Sequence, residues 1–128
     1  MSEIDPLKYP VGLFLKPEAI TAEHLTAWIA TIAEFPQKIA ALTETLTEET
    51  LTKTYRPDGW TIRQLVHHCA DSHMNAFIRF KLALTEEAPK IKPYFEDQWA
   101  ELPDTRSAAP CADNPYRPAL RYTGNVVL

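Results

Sequence analysis

Residues Gly59–His73, with the sequence GWTIRQLVHHCADSH, decide how the fold of this chain is interpreted. Thr61 and Gln64 stand three residues apart, the spacing of a capping box, in which two side chains satisfy backbone N–H groups at a helix N-terminus. Neither Pro nor Gly follows before Pro89. The stretch therefore predicts the first turns of a long helix, which we expect over residues 62–86 with a length of about 37 Å.

A second long helix is predicted upstream, over residues 21–46. Thr21 is a suitable N-cap, and Pro36 is expected to kink or split the helix because proline removes one backbone donor. Thr47 is the expected cap of a short turn that ends at Leu51. The apolar residues of the long helix recur at the i, i+3, i+4 spacing of one buried stripe: Leu25, Trp28, Ile29, Ile32, Phe35, Ile39, Leu42 and Leu46.

The remaining segments predict little regular structure. Residues 1–20 carry three prolines and are expected to form an extended arm. One short helix is predicted over residues 96–102, and prolines interrupt the chain from Pro103 onward, so that residues 107–128 are expected to form an irregular tail. The fold class is therefore all-α. Two long helices do not enclose a core, and we expect the arm, the tail or a second subunit to cover them.

Length and composition are those of one globular domain. The 128 residues are 45% apolar and 23% charged, with a net charge of −4. This balance argues against nucleic acid as a partner, because no basic face is offered to phosphates. No apolar run approaches the ~20 residues of a membrane span, and the first residues, MSEIDPLKYP, lack the basic start of a signal peptide. We therefore expect a cytoplasmic protein, in which Cys69 and Cys111 stay reduced.

The histidines of the predicted helix over 62–86 point in different directions. At 100° per residue, with Ile62 as zero, His73 points to about 20°, His67 to about 140° and His68 to about 240°. Rings that diverge by about 100° or more do not share one ion. The apolar residues place the core face within about 60° of zero: Leu65, Val66, Cys69, Ala76, Phe77, Phe80, Ala83 and Leu84.

Most of these side chains have an ordinary structural interpretation. His73 is expected to be a core histidine bonded to a neighbour, His67 to be exposed or at an interface, and His24 to lie at the surface. Cys69 is expected to be a small buried apolar residue. The i, i+4 pairs His67–Asp71 and Cys69–His73 could each chelate a metal. Two ligands, however, do not make a catalytic zinc site, which uses about three.

His68 differs from the other histidines because it heads a stripe of polar residues beside the core face. The members of this stripe share one side of the predicted helix: Gln64, His68, Ser72, Asn75 and Arg79. Such a stripe is either solvated or part of a binding site, and spacing alone leaves both interpretations open.

Several further runs agree with a known family pattern. They are Tyr9–Gly12, Tyr55–Gln64, His67–Asn75, Ile78–Glu86, Ile91–Tyr94 and Trp99–Leu102, of which GWTIRQLVHHCADSHMN is the most specific. Over residues 8–106 the chain resembles the DinB/YfiT-like superfamily, and in particular its YfiT-type candidate metal-dependent hydrolases.

The resemblance implies an up-down-down-up four-helix bundle, cytoplasmic and commonly a homodimer. It implies one divalent metal, nickel or zinc, held by three histidines. The superfamily pattern L-x-H-L-A-D puts one ligand at the second histidine of the pair, here His68, and the other two in an H-x-x-x-H pair on the last helix. Asp71 and Asn75 become candidates for orienting His68 or a bound water. The implied substrate is a small molecule, in some relatives conjugated with a low-molecular-weight thiol such as bacillithiol, mycothiol or glutathione.

The end of the chain departs from that pattern. No histidine follows His73, so this sequence does not contain the H-x-x-x-H pair. We hypothesise that residues 1–106 form the DinB-like domain and that residues 107–128 are out-of-frame or otherwise aberrant. Coding DNA in which no single-base shift restores the pair would contradict this hypothesis.

The histidine count also shapes the expected function, because one imidazole gives only a weak metal site. We expect a metal-dependent hydrolase or thiol S-transferase that is impaired in this chain. The alternative is a non-catalytic helical fragment or a self-associating interaction module.

Overall fold

The structure, a computed structural model, describes residues 5–107, which form helices joined by turns. Within these residues there is no strand, and Thr54 and Thr61 form an isolated antiparallel bridge. The all-α class is therefore confirmed. The tail predicted over residues 107–128 lies outside the described residues apart from Ser107.

The first helix, α1, spans Ala22–Thr43. Thr21 is its N-cap, as predicted, and completes a capping box with His24: the Thr21 hydroxyl accepts the His24 N–H at 3.3 Å, and His24 Nδ1 accepts the Thr21 N–H at 3.2 Å. The predicted end at residue 46 was wrong by three residues. Thr47 adopts the extended backbone of the next N-cap, so the chain has to leave α1 before it.

The predicted short turn is helix α2, Glu48–Leu51. The hydroxyl of Thr47 accepts the N–H of Thr50 at 3.2 Å and caps this helix. Leu51 is 2% exposed and anchors α2 in the core. A turn follows in which the N–H of Gly59 donates to the carbonyl of Arg56 at 3.1 Å, and this turn leads directly to the cap of the next helix.

Helix α3 spans Ile62–Thr85, close to the predicted 62–86. Its capping box is formed: Gln64 Oε1 accepts the Thr61 N–H at 3.0 Å, and the Thr61 hydroxyl accepts the Gln64 N–H at 3.2 Å. The same Gln64 side chain donates from Nε2 to the carbonyl of Ala100 at 2.8 Å and to Glu101 Oε1 at 3.0 Å. One residue therefore both starts α3 and fastens the later part of the chain to it.

The short helix predicted over residues 96–102 is shorter than expected, and a further short helix that was not predicted follows it. Helix α4 spans Glu96–Trp99, and helix α5 spans Pro103–Ser107. The expectation of irregular chain from Pro103 was wrong up to Ser107, because proline is well suited to the first helical position, where its missing N–H is not needed. Thr105, 2% exposed, donates its hydroxyl to the carbonyls of Ala100 and Leu102 at 2.8 and 2.7 Å and locks this corner.

The core lies where α2 and α5 pack against α3. Its buried apolar residues are Leu51, Val66, Ala70 and Ala100. The core face predicted within 60° of Ile62 was therefore misplaced: Val66 is buried, whereas Phe80 and Leu84 are exposed. The fully buried face of α3 is centred about 100° from Ile62. The prediction missed this because the covering helices, α2 and α5, are short, and the periodicity of α3 does not show where they pack.

Helix α1 meets α3 at a neighbouring face, about 80° around the helix axis from the buried one, where the ring of Phe35 stacks on that of His73 with centroids 4.7 Å apart. An open apolar cavity of about 270 Å³ lies between the two long helices. Within residues 5–107, no helix combines the length and the apolar character that a membrane span requires.

Candidate functional site

His24 has a structural role at the start of α1. Its Nδ1 takes part in the capping box with Thr21. Its ring also stacks on Trp28 with centroids 5.7 Å apart. The expected surface position is only half right, since the side chain is half-buried, and the sequence signal that was missed is the three-residue spacing from Thr21.

His67 is 1% exposed, so the expectation of an exposed or interfacial side chain was wrong. Helix α5 packs on this face of α3, and sequence periodicity could not reveal a cover made by five residues that begin with proline. Burial lowers the pKa of His67, with Asp104 opposing and Arg63 adding to the shift. A neutral, enclosed imidazole of this kind is a core group that an ion in solvent does not reach.

His73 is bonded to a neighbour, as predicted, but it is half-buried and faces α1 instead of the buried core. Its Nδ1 donates to the carbonyl of Cys69 at 2.9 Å, and its ring stacks on Phe35. Nε2 is buried, and within residues 5–107 it has no hydrogen-bond partner. Cys69 is half-buried, and burial raises the pKa of its thiol. The protonated thiol is therefore favoured, in agreement with an inert packing role for Cys69.

His68 is half-buried and lies against Trp60, with ring centroids 4.8 Å apart and planes inclined by 55°. In the described part of the chain, neither ring nitrogen of His68 has a hydrogen-bond partner. The Trp60 contact was not predicted, although the position of Trp60 directly before the N-cap Thr61 is a usable signal, because residues there pack against the first turns of a helix. His68 is thus a positioned imidazole whose nitrogens remain available.

Asp71 and Asn75 differ in burial: Asp71 lies on the buried face of α3, and Asn75 is half-buried on the polar stripe. Asp71 is 7% exposed, and burial, with a smaller contribution from Asp104, raises its pKa to about 6. Asn75 donates from Nδ2 to the backbone carbonyl of Asp71 at 2.8 Å. No hydrogen bond joins either side chain to the ring of His68 within residues 5–107, and their orienting role stays a prediction.

An ion pair with one buried partner was not predicted. Arg63, on the buried face of α3, pairs with Glu48 at the start of α2. The Arg63 side chain is 9% exposed and Glu48 is 72% exposed, so the pair carries charge from the core to the surface. It fastens α2 to α3 and, with His67 and Asp71, gives the buried face of α3 an unusually polar character.

The polar stripe leads from His68 to a second cavity, of about 350 Å³, at the far end of α3. Asn75 and Arg79 line it from α3, and Lys90, Lys92 and Tyr94 line it from the following segment. The α3 side of this cavity was predicted as a polar stripe. The two lysines across the cavity were not predicted, because helical periodicity does not locate residues outside the helix.

No three His, Cys, Asp or Glu side chains among residues 5–107 are grouped so that they could hold a metal ion. Among residues 5–107, His68 is a half-buried imidazole outside the core and the capping boxes, and no two further His, Cys, Asp or Glu side chains are placed to complete a metal centre with it. A single imidazole does not hold a metal firmly or fix an open coordination position.

Comparison with known proteins identifies relatives over most of the chain. The model of the DinB superfamily matches residues 31–113. A Bacillus pumilus protein is 54% identical over 101 residues, which are 79% of this chain and 58% of that protein. Bacillus subtilis YfiT is 49% identical over 104 residues, which are 81% of this chain and 58% of YfiT. Both relatives are named as candidate metal-dependent hydrolases.

The fold has a solved counterpart. The structure of Bacillus subtilis YfiT, described as that of a candidate metal-dependent hydrolase with an unusual four-helix bundle topology, matches with a TM-score of 0.84 at 43% identity. The match covers 94% of this chain and 67% of that one. The chain thus spans a little over half the length of the relatives it matches in sequence. The family model, the identities and the shared bundle agree with the sequence resemblance, and the chain belongs to the DinB superfamily.

Proposed function

We propose that this chain contributes His68 as one histidine ligand to a metal-dependent hydrolase or thiol S-transferase centre of the DinB superfamily type. The metal would be divalent, nickel or zinc, and the substrate a small molecule, with a low-molecular-weight thiol as co-substrate in the transferase case. The metal dependence rests on the names of the relatives. The choice of ligand rests on this chain.

One observation carries that choice. Of the four histidines, His24 caps α1, His67 is enclosed in the core, and His73 donates to a backbone carbonyl while stacking on Phe35. Among residues 5–107, His68 has one ring contact, with Trp60, and neither ring nitrogen has a hydrogen-bond partner. A metal ligand needs a positioned ring with a free lone pair, and His68 meets this requirement best.

The described residues do not fit a closed metal centre, because they supply one imidazole where a catalytic zinc site uses about three protein ligands. When bound in a complete centre, a divalent metal would polarise the substrate or activate water or a thiol. With His68 alone we expect weak, exchangeable binding and impaired activity.

Equilibrium dialysis of the purified chain against Zn²⁺ or Ni²⁺, followed by elemental analysis, tests the proposal. We expect bound metal that rises with free metal without reaching tight one-to-one occupancy. His68→Ala should remove most of it, because no other accessible imidazole on α3 replaces His68. His24→Ala is the matched control, since it deletes a half-buried imidazole elsewhere and should leave binding unchanged. Absence of metal from the unmodified chain, or equal loss in both variants, would sink the proposal.

A second candidate function is self-association through helices, for which the exposed apolar face of α1 and α3 gives specific support. Ile29 on α1 and Phe80 and Leu84 on α3 are 40%, 42% and 70% exposed around the open cavity. Such contiguous apolar surface is typical of interfaces. A homodimer would cover this face, and that arrangement is compatible with a role that involves no catalysis.

A further inference from the structure

The cavity at the far end of α3 has a cationic lining that the proposed metal ligand does not explain. Arg79 reaches it from α3, while Lys90 and Lys92 reach it from the segment between α3 and α4. Its volume is about 350 Å³, within the range of small-molecule sites. Three cationic side chains around one concave surface attract anions, because their fields add within a low-dielectric cleft.

These cations are not neutralised by acids of the described region. The ion pairs within residues 5–107 join Lys38 to Glu34, Lys53 to Glu49 and Arg63 to Glu48, and none of them includes a cation of the cavity.

Arg79 in particular has a buried Nε, and in the described part of the chain this nitrogen has no hydrogen-bond partner. An unsatisfied buried donor is costly. The guanidinium fork suits the two oxygens of a carboxylate or phosphate, which would satisfy that donor.

The remaining walls suit the body of a small molecule. The rings of Tyr94 and Trp99 contact each other at 4.8 Å and close one side. Asn75 adds an amide, and its Nδ2 already donates to the Asp71 carbonyl, which leaves Oδ1 available to a ligand. Glu96 and, more weakly, Asp71 act electrostatically on Tyr94, and these acids would restrict how much negative charge the cavity accepts. A few polar groups among apolar and aromatic walls are characteristic of ligand sites.

The position of the cavity connects it to His68. His68, Ser72, Asn75 and Arg79 share one side of α3, with Arg79 eleven residues, or about 16 Å, beyond His68. We propose that this cavity binds an oxyanion group, carboxylate or phosphate, of the small molecule that is presented to His68. The delivery of the small molecule to His68 rests on the proposed function. The binding of the oxyanion in the cavity requires no metal.

Isothermal titration of the metal-free chain with succinate and with inorganic phosphate tests the site and separates the two sources of oxyanion. We expect saturable binding of at least one of them that weakens as salt is added, because the contacts are ionic. Arg79→Gln should weaken it roughly tenfold or more, because a charged hydrogen-bond donor is lost. Lys90→Gln and Lys92→Gln should each have a smaller effect, since both lysines are exposed.

Lys81→Gln is the matched control. It removes the same charge from the same helix, but Lys81 lies over the Phe77 ring and lines the cavity between α1 and α3. Unchanged affinity in this variant supports the site. The proposal is overturned if neither anion binds, if neutral succinamide binds as tightly as succinate, or if Lys81→Gln matches Arg79→Gln. None of these results depends on metal, so the dialysis experiment with His68→Ala can succeed or fail separately.

Discussion

At the scale of single residues, the buried face of α3 carries polar groups, and the ionisation of two of them, His67 and Asp71, opposes folding. Arg63, His67 and Asp71 are each less than a tenth exposed. Burial lowers the pKa of His67 and raises that of Asp71 to about 6, so both groups favour their neutral forms in the folded chain. Stability should therefore depend on pH in a way that can be assigned to individual side chains.

Asp71→Asn should make the chain more stable above pH 7. Because the folded-state pKa of Asp71 lies above its unfolded value, the folded form binds the proton more tightly, and stability is lost as pH rises from about 4 to above about 6. The shift of about two pKa units corresponds to roughly 2–3 kcal/mol. Urea unfolding of both proteins between pH 4 and pH 8 measures it, and the contribution of His67 largely cancels in the difference.

The control for this comparison is Asp97→Asn, which alters an exposed carboxylate on α4. Its stability difference from the unmodified chain should stay nearly constant over the same pH range. An Asp71→Asn difference that is equally flat would mean that burial does not oppose ionisation of this group.

The environments of the histidines were only partly predictable from the sequence. Helical geometry predicted that the rings of His67, His68 and His73 diverge, and the predicted bond of His73 to a neighbour is confirmed, although the side chain is only half-buried. His67 was misjudged because its burial depends on α5, whose position is set by side chains distant in sequence. Periodicity predicts which residues share a face of a helix, but it does not predict which face another helix packs against.

At the scale of elements, Gln64 connects a local signal with a tertiary one. Gln64→Ala should destabilise the chain by about 2–3 kcal/mol, because it removes both the capping contact at Thr61 and the bonds to Ala100 and Glu101. His24→Ala is the matched comparison. His24 holds the equivalent position in the capping box of α1, and within residues 5–107 it makes no hydrogen bond to a segment distant in sequence. It should cost about 1 kcal/mol. Chemical unfolding measures both.

A double-mutant cycle identifies the shared acceptor. The buried carbonyl of Ala100 accepts from Gln64 and from Thr105, so either donor can satisfy it when the other is removed. Gln64→Ala combined with Thr105→Val should therefore cost more than the sum of the single changes, by about 1 kcal/mol or more. Additive costs would show that the corner between α4 and α5 is not held through this carbonyl.

The elements themselves were predictable where a local signal defines them. The capping box at Thr61 and Gln64 fixed the start of α3, and the caps at Thr21 and Thr47 fixed the starts of α1 and α2. The end of α1 and the existence of α5 were missed. Both depend on which neighbouring segment forms hydrogen bonds with the backbone groups at these positions. The periodicity of one helix does not predict this.

At the scale of the whole molecule, residues 5–107 leave an open apolar face between α1 and α3. The matched YfiT structure is described as a four-helix bundle, and the described residues here contain two long helices. The chain covers 67% of that structure. The apolar cavity of about 270 Å³ therefore lies on a face that a bundle would be expected to cover with another helix.

If a second copy covers this face, sedimentation velocity should show a monomer–dimer equilibrium that shifts with protein concentration. Leu84→Glu should move it towards monomer by roughly tenfold or more, because a carboxylate would be buried against apolar side chains in the dimer. Leu15→Glu is the matched control: Leu15 is 84% exposed, compared with 70% for Leu84, and lies in the segment before α1, away from the cavity. Its charge change is identical, so general repulsion cannot account for a difference between the two variants. A compact monomer at all concentrations, or equal effects of both changes, would exclude this face as the interface and leave the metal-ligand proposal for His68 unaffected.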